Sequence, residues 1–180
     1  NMDLSKAEYK KLVAAAEKSG KIQLAMLIQT LCAIGLRVSE LAFITVKSVN
    51  EGTVNVYCKG KEGQILIPKA LQIKLLYYIH KNGTKNGVVF RTRNGKPINR
   101  SNIWREMKSL CQEAGVEQEK VFPHNLRHLF AKTFYNTCKD IAKLADILGH
   151  SSIETTRVYI MTTSREYQKH MDEMDLVVGT

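Results

Sequence analysis

Proline is scarce, with three in 180 residues, so few positions carry the ring that removes a backbone donor and breaks a helix. Cysteine is nearly as rare. Cys32, Cys58, Cys111 and Cys138 are widely separated and form no C-x-x-C pair, which excludes a zinc ribbon or a dithiol redox centre and leaves them as reduced core residues. No stretch reaches the roughly 18 uninterrupted apolar residues of a membrane span, and the start lacks a basic-then-apolar leader pattern. The expectation is a cytoplasmic protein with no membrane partner. Internal repeats, low-complexity tracts and linker-like stretches are also missing, which excludes solenoids and disordered arms. Acidic residues are under-represented: 17 Asp and Glu face 27 Lys and Arg, a formal net charge of +10 with a pI near 9.5. That balance fits a polyanionic partner, though a solvated basic surface would explain the charge alone equally well.

What is present reads as one domain, residues 1–180, large enough to bury its own core. The hydrophobic fraction is 44%, and apolar residues recur at helical spacing through most of the chain. Ser5 and Glu8 stand at capping-box spacing ahead of a helix carrying Leu12, Val13 and Ala16, which fades at Ser19-Gly20. Residues 22–34 (IQLAMLIQTLCAI) are almost continuously apolar and predict a central helix ended by Gly35. A short helical turn at 39–43 precedes two β-branched segments, 53–57 and 64–68, which read as a hairpin with Lys59 and Lys61 at its tip. A helix over 70–80 follows, then a short strand at 88–90 and a turn at 93–97. Asn99 or Ser101 is expected to cap a helix bearing Ile103, Trp104, Met107 and Leu110 and ending at Ala114-Gly115. Further helices are predicted at 125–135, 140–148, 152–159 and 164–174. The fold class expected is mainly α with a small antiparallel β-sheet.

Singly, the chemistry-bearing residues say little. Arg37 has Glu40 three residues on as an ion-pair partner, and an isolated histidine such as His150 is more often structural than catalytic. The segment Pro123-His124-Asn125-Leu126-Arg127-His128 is more informative, because His124 and Arg127 at i,i+3 share one helical face while Leu126 and Leu129 turn inward. A proton-transfer group then stands beside a guanidinium. Two arginines converging on one phosphodiester would neutralise the charge that grows in a pentacovalent transition state. A tyrosine hydroxyl, with a pKa of about 10, needs such a cationic field or a nearby base to attack phosphorus.

Four separated segments resemble the signature boxes of the tyrosine recombinase family, which includes phage integrases and the Xer-type recombinases. Gly35-Leu36-Arg37-Val38-Ser39-Glu40-Leu41 is similar to the first arginine box, and His124-Asn125-Leu126-Arg127-His128 to the H-x-L-R-H box. Leu148-Gly149-His150-Ser151-Ser152 resembles the L-G-H-S-S box, and Thr155-Thr156-Arg157-Val158-Tyr159 the T-T-x-x-Y box. They stand in family order, with 90 residues between the arginines and nine from His150 to Tyr159.

The resemblance implies the recombinase catalytic-domain fold and a role for each matched residue. Arg37 and Arg127 would bind the scissile phosphate, His124 would act in acid/base work, and His150 would hydrogen-bond the phosphate. Tyr159 would be the nucleophile, and Glu40 would support the site structurally. Lys59, before Gly60 in the hairpin, matches the family's general acid, with Lys61 as its rival. Gly63-Gln64 stand where the family often has a basic residue. The implied reaction is metal-free DNA transesterification through a 3′-phosphotyrosyl link, with no cofactor and no metal. Implied partners are double-stranded DNA at a specific recombination site and further copies of the chain, joined as a tetramer through the carboxy-terminal segment. Accessory DNA-bending or excision factors belong to the same expectation. Type IB topoisomerase-like relaxation and an inactive DNA-binding module are the alternatives. The family usually adds an amino-terminal DNA-clamping domain, which Asn1-Met2-Asp3 is too short to supply, so the chain is expected to be the catalytic part of a longer protein. His128 reads as structural, and Tyr57, Tyr77, Tyr78 and Tyr135 as core-edge residues. Lys85, Arg91, Arg93, Lys96, Arg100 and Arg105 are basic positions open to DNA contact or to solvent.

Overall fold

The structure, a computed structural model, describes residues 2–58 and 61–149 together with positions 173, 174, 176 and 178. Helix α1 (Lys6–Lys18) starts with the reciprocal capping box the sequence predicts. Ser5 Oγ accepts from the Glu8 N–H at 3.1 Å and Glu8 Oε1 accepts from the Ser5 N–H at 3.0 Å. Helix α2 (Ile22–Ile34) is apolar around most of its circumference because it is covered there: α1, α4 and α7 all pack against it. Leu27, Ile28 and Leu31 are fully buried, and each contributes about 1.5–3 kcal/mol of burial free energy. α2 is therefore the axis of the core, and its end fixes where the next residues go.

That end is Gly35, in the left-handed region at φ 68°, after which a 3-10 helix covers Val38–Phe43 and α3 covers Val46–Glu51. The sequence reading missed α3; its signal was a Thr45–Ser48 capping pair. The hairpin is present as β1 (Thr53–Cys58) and β2 (Lys61–Leu66), antiparallel with Thr53 opposite Leu66 and Cys58 opposite Lys61. β2 begins three residues earlier than expected, so Lys61 is a strand residue rather than part of the tip. The β-branched content of 64–68 was a poor guide because Gly63 and Glu62 pair as well as Ile65 does.

α4 (Lys69–Lys81) follows Pro68 directly. The strand expected at 88–90 is only an isolated bridge between Thr45 and Val88, because among the described residues no second strand lies alongside to extend it. Asn99 is the cap of α5 (Arg100–Ser109), its Oδ1 accepting from the Asn102 N–H at 2.8 Å. The single helix predicted to Ala114 is broken at Leu110, with α6 (Cys111–Ala114) as a separate turn closed by Gly115 at φ 70°. α7 (Pro123–Cys138) is longer than 125–135 at both ends, with Pro123 in its first turn, where a missing N–H costs nothing. α8 (Ile141–Leu148) is capped by Asp140. The helices predicted at 152–159 and 164–174 lie outside the described residues, apart from positions 173 and 174.

A main cluster centred on α2 holds most of the buried apolar residues, and a small second one, Ala131, Leu144 and Leu148, seams α8 to α7. Cys32 and Cys111 are buried as expected, but Cys138 is exposed at the end of α7 and is not a core residue. Tyr57 and Tyr77 are likewise exposed rather than tucked at the core edge. Among the described residues no helix is long and apolar enough to cross a membrane.

Candidate active site

The end of α2 and the start of α7 are brought together by a glycine and an arginine. A Cβ on Gly35 would lie 2.4 to 2.9 Å from ring atoms of Phe130, so α7 packs against this turn at a distance only glycine permits. One turn from Phe130 on α7, Arg127 is 3% exposed. Its Nη1 donates to the Gly35 carbonyl and its Nη2 to the Leu148 carbonyl at 2.6 Å. Both acceptors sit at helix C-termini, where unpaired carbonyls and the helix dipole favour a cation. Leaving such a buried guanidinium without partners would cost several kcal/mol. Here two helix ends supply them, and Arg127 ties α2, α7 and α8 at one point.

Arg37 is held differently. Its backbone N–H donates to Glu40 Oε1 at 2.8 Å, and its Nη1 lies 3.8 Å from Glu40 Oε2. Glu40 is buried, so the pair is an anchored one rather than a loose surface contact. The Arg37 side chain itself is 36% exposed.

Arg37 and Arg127 share two neighbouring clefts. One, of about 240 Å³, lies under the hairpin and is bounded by Glu40, Val56, Gly63, Gln64, Asp146 and Leu148. The other, of about 200 Å³, is bounded by Arg100, Trp104, Phe122 and His124. His124 and Arg127 thus do share a face of α7, as their spacing predicts, and Arg37 joins them from the loop after α2. Leu126 and Leu129 are buried on the opposite side.

Partial burial, then the positive charges of Arg127 and Arg37, push the His124 pKa below its ordinary value. Both influences favour the neutral imidazole over the charged one. Half-exposed Arg37 and His124 line the cleft, with the buried Arg127 guanidinium at its base, an arrangement that suits a phosphodiester and a proton transfer beside it.

Behind His124, on the same helix, His128 Nε2 stands 3.6 Å from Asp3 Oδ1, and Lys132 Nζ 3.4 Å from Asp3 Oδ2. Burial lowers the His128 pKa, with Asp3 opposing. Buried Asn125 donates its amide to the carbonyls of Met2 and Lys120, both at 2.8 Å. The amino-terminal segment therefore buttresses α7, a role the sequence reading missed because Asp3 and Met2 belong to no periodic pattern. Lys59, His150 and Tyr159 lie outside the described residues.

Comparison with known proteins bears on the whole domain. The family model described as the phage integrase family matches residues 3–166. Tyrosine recombinase XerA of Pyrococcus furiosus is 30% identical over 181 residues, covering 97% of this chain and 62% of the relative. The crystal structure of XerA recombinase is similar with a TM-score of 0.80 and 27% identity, over 97% of this chain and 64% of that one. XerH site-specific recombinase, bound to palindromic difH substrate in a post-cleavage complex, shares the fold with a TM-score of 0.78 and 22% identity, over 95% and 52% of the two chains. The chain spans about three fifths of the length of the XerA relative.

Proposed function

The chain belongs to the phage integrase family, and on that premise we propose that it is the catalytic domain of a site-specific DNA recombinase acting through a phosphotyrosyl intermediate. The observation that carries this reading is the convergence of Arg37, His124 and Arg127 on one cleft from segments 90 residues apart. XerA and XerH are named recombinases, and XerH is bound to a difH substrate in a post-cleavage complex.

In this reading the two guanidiniums grip the non-bridging oxygens of the scissile phosphate, and His150 adds a hydrogen bond. Tyr159 Oη attacks phosphorus while neutral His124 takes its proton. The P–O bond to the 5′ oxygen breaks, and Lys59 donates the proton that makes the departing group a 5′ hydroxyl. Tyr159 is left joined to the 3′ phosphate. Attack by a partner strand's 5′ hydroxyl reverses the step and frees the tyrosine. One phosphoester replaces another throughout, so the chemistry calls for no nucleotide cofactor. The partners are duplex DNA carrying a recombination site, further copies of the chain in a tetramer joined through the carboxy-terminal segment, and accessory DNA-bending or excision factors. The working compartment is the cytoplasm.

The test is adduct formation on nicked duplexes drawn from a random-sequence pool, in which cleavage releases a short fragment and traps the enzyme on DNA. Wild type forms a denaturant-resistant adduct in the presence of EDTA, with the label on Tyr159 in a peptide map. Tyr159→Phe forms none while binding DNA normally. Arg37→Ala and Arg127→Ala each lower adduct formation by about a hundredfold or more, the loss of a preorganised donor to a developing oxyanion being joined in Arg127→Ala by the loss of the tie among α2, α7 and α8. An adduct on another tyrosine, or abolition by EDTA, refutes the mechanism.

A further inference from the structure

The cleft on the α5 side of Arg37 and Arg127 contains groups that the phosphoryl chemistry does not use. Arg100 and Trp104 are i,i+4 on α5, so they stand one turn apart on a single face, and both border this cleft together with Phe122 and His124. Trp104 is the sole tryptophan of the chain and is 45% exposed. The core does not require it, since α5 already buries Ile103 and Met107 on its inner side. The indole is nonetheless held in place. It stacks with Phe122, ring centroids 6.2 Å apart and planes 21° from parallel, and Lys108 Nζ stands 5.4 Å from its centroid. An ordered aromatic pair left open to water, flanked by two cations and sharing a cleft with a phosphate clamp, matches a nucleotide: phosphate for the cation, sugar and base for the rings.

We propose that α5 carries a nucleotide subsite in which the Trp104–Phe122 pair packs against the sugar and base of a nucleotide flanking the scissile phosphate, and Arg100 holds that nucleotide's own phosphate. The inference rests on the reading of the Arg37–Arg127 cleft as the DNA cleavage site. It makes Trp104 and Arg100 positioning residues. They fix where the strand lies relative to the phosphate clamp and take no part in bond making.

Because Trp104 is the sole tryptophan, its emission reports on the subsite without any need for catalysis. A short random-sequence duplex with a fluorescein end label, titrated at low salt, reads total binding by anisotropy while indole emission reads occupancy of the cleft. The expected result is quenching of Trp104 in step with anisotropy. Trp104→Ala and Arg100→Gln each weaken duplex affinity or slow adduct formation roughly tenfold, the scale of one lost aromatic contact to a base. Trp104→Phe restores most of the loss, which a misfolded variant would not do. Unchanged emission at saturating anisotropy overturns the proposal, as do wild-type affinity and adduct rate in both variants. Adduct without quenching refutes the subsite alone; quenching without any Tyr159 adduct refutes the catalytic reading and leaves the subsite standing.

Discussion

Substituting alanine for Gly35 tests whether the turn after α2 is set by its contact with α7. Two costs are expected. The residue sits at φ 68°, where an L side chain costs about 1–2 kcal/mol. The new methyl also meets the Phe130 ring at 2.4 to 2.9 Å, a contact that must be relieved by moving α7 or the turn, at about 1–3 kcal/mol more. Gly115 supplies the internal control: its φ is 70°, but a Cβ there meets nothing within 4 Å. Gly115→Ala should therefore show the backbone cost alone, roughly 2–8 °C in Tm for a domain of this size, and Gly35→Ala roughly twice that. Thermal unfolding by circular dichroism measures both. In a Phe130→Ala background the steric part vanishes and Gly35→Ala should fall to the Gly115→Ala value. Equal costs for the two glycines, or a Gly35 cost indifferent to Phe130, would refute the packing argument. Since the Gly35 carbonyl accepts from Arg127, the same substitution should slow adduct formation beyond what its stability loss explains.

The depressed His124 pKa fixes the direction of two pH effects. As pH falls below about 6.5 the unfolded chain's imidazole takes up a proton before the folded one does, so its contribution to stability is complete above that pH and is lost as pH falls through the folded value. Adduct formation should decline over the same acid range, and His124→Asn should remove that limb; an inflection above pH 7 tied to His124 contradicts the assignment. For the general acid, Lys59→Ala should be slow on ordinary DNA and largely rescued on a 5′-phosphorothiolate substrate, whose leaving group needs no proton. Lys61→Ala should need no rescue, and the reverse pattern moves the role to Lys61.

The sequence displayed those parts of the fold whose cause is local. The capping box at Ser5, the near-continuous apolarity of α2 and the glycine stops at 35 and 115 each act within one turn of chain, so they could be read directly. What stayed hidden was non-local. Val88–Phe90 has strand-like residues but, among the described residues, one bridging partner, Thr45, and no local pattern reports the lack of a further neighbour. The start of β2 at Lys61 depends on what β1 offers opposite it. At the site, the i,i+3 spacing of His124 and Arg127 announced their shared face, and the box resemblance drew in Arg37. The carbonyls of Gly35 and Leu148, the Phe130 ring and the Asp3 carboxylate carry no such mark. They are ordinary groups whose importance comes only from where other segments place them.

The anchoring of Arg127 also bears on the order in which the domain is completed during its own synthesis. Its two carbonyl partners lie 92 residues earlier and 21 residues later in the chain, so the second anchor becomes available only once residue 148 has left the ribosome and α8 has docked. A nascent chain that already contains both arginines and His124 thus still lacks one of the two contacts that hold Arg127. The last helix of the described fold is the piece that completes the buried tie among α2, α7 and α8.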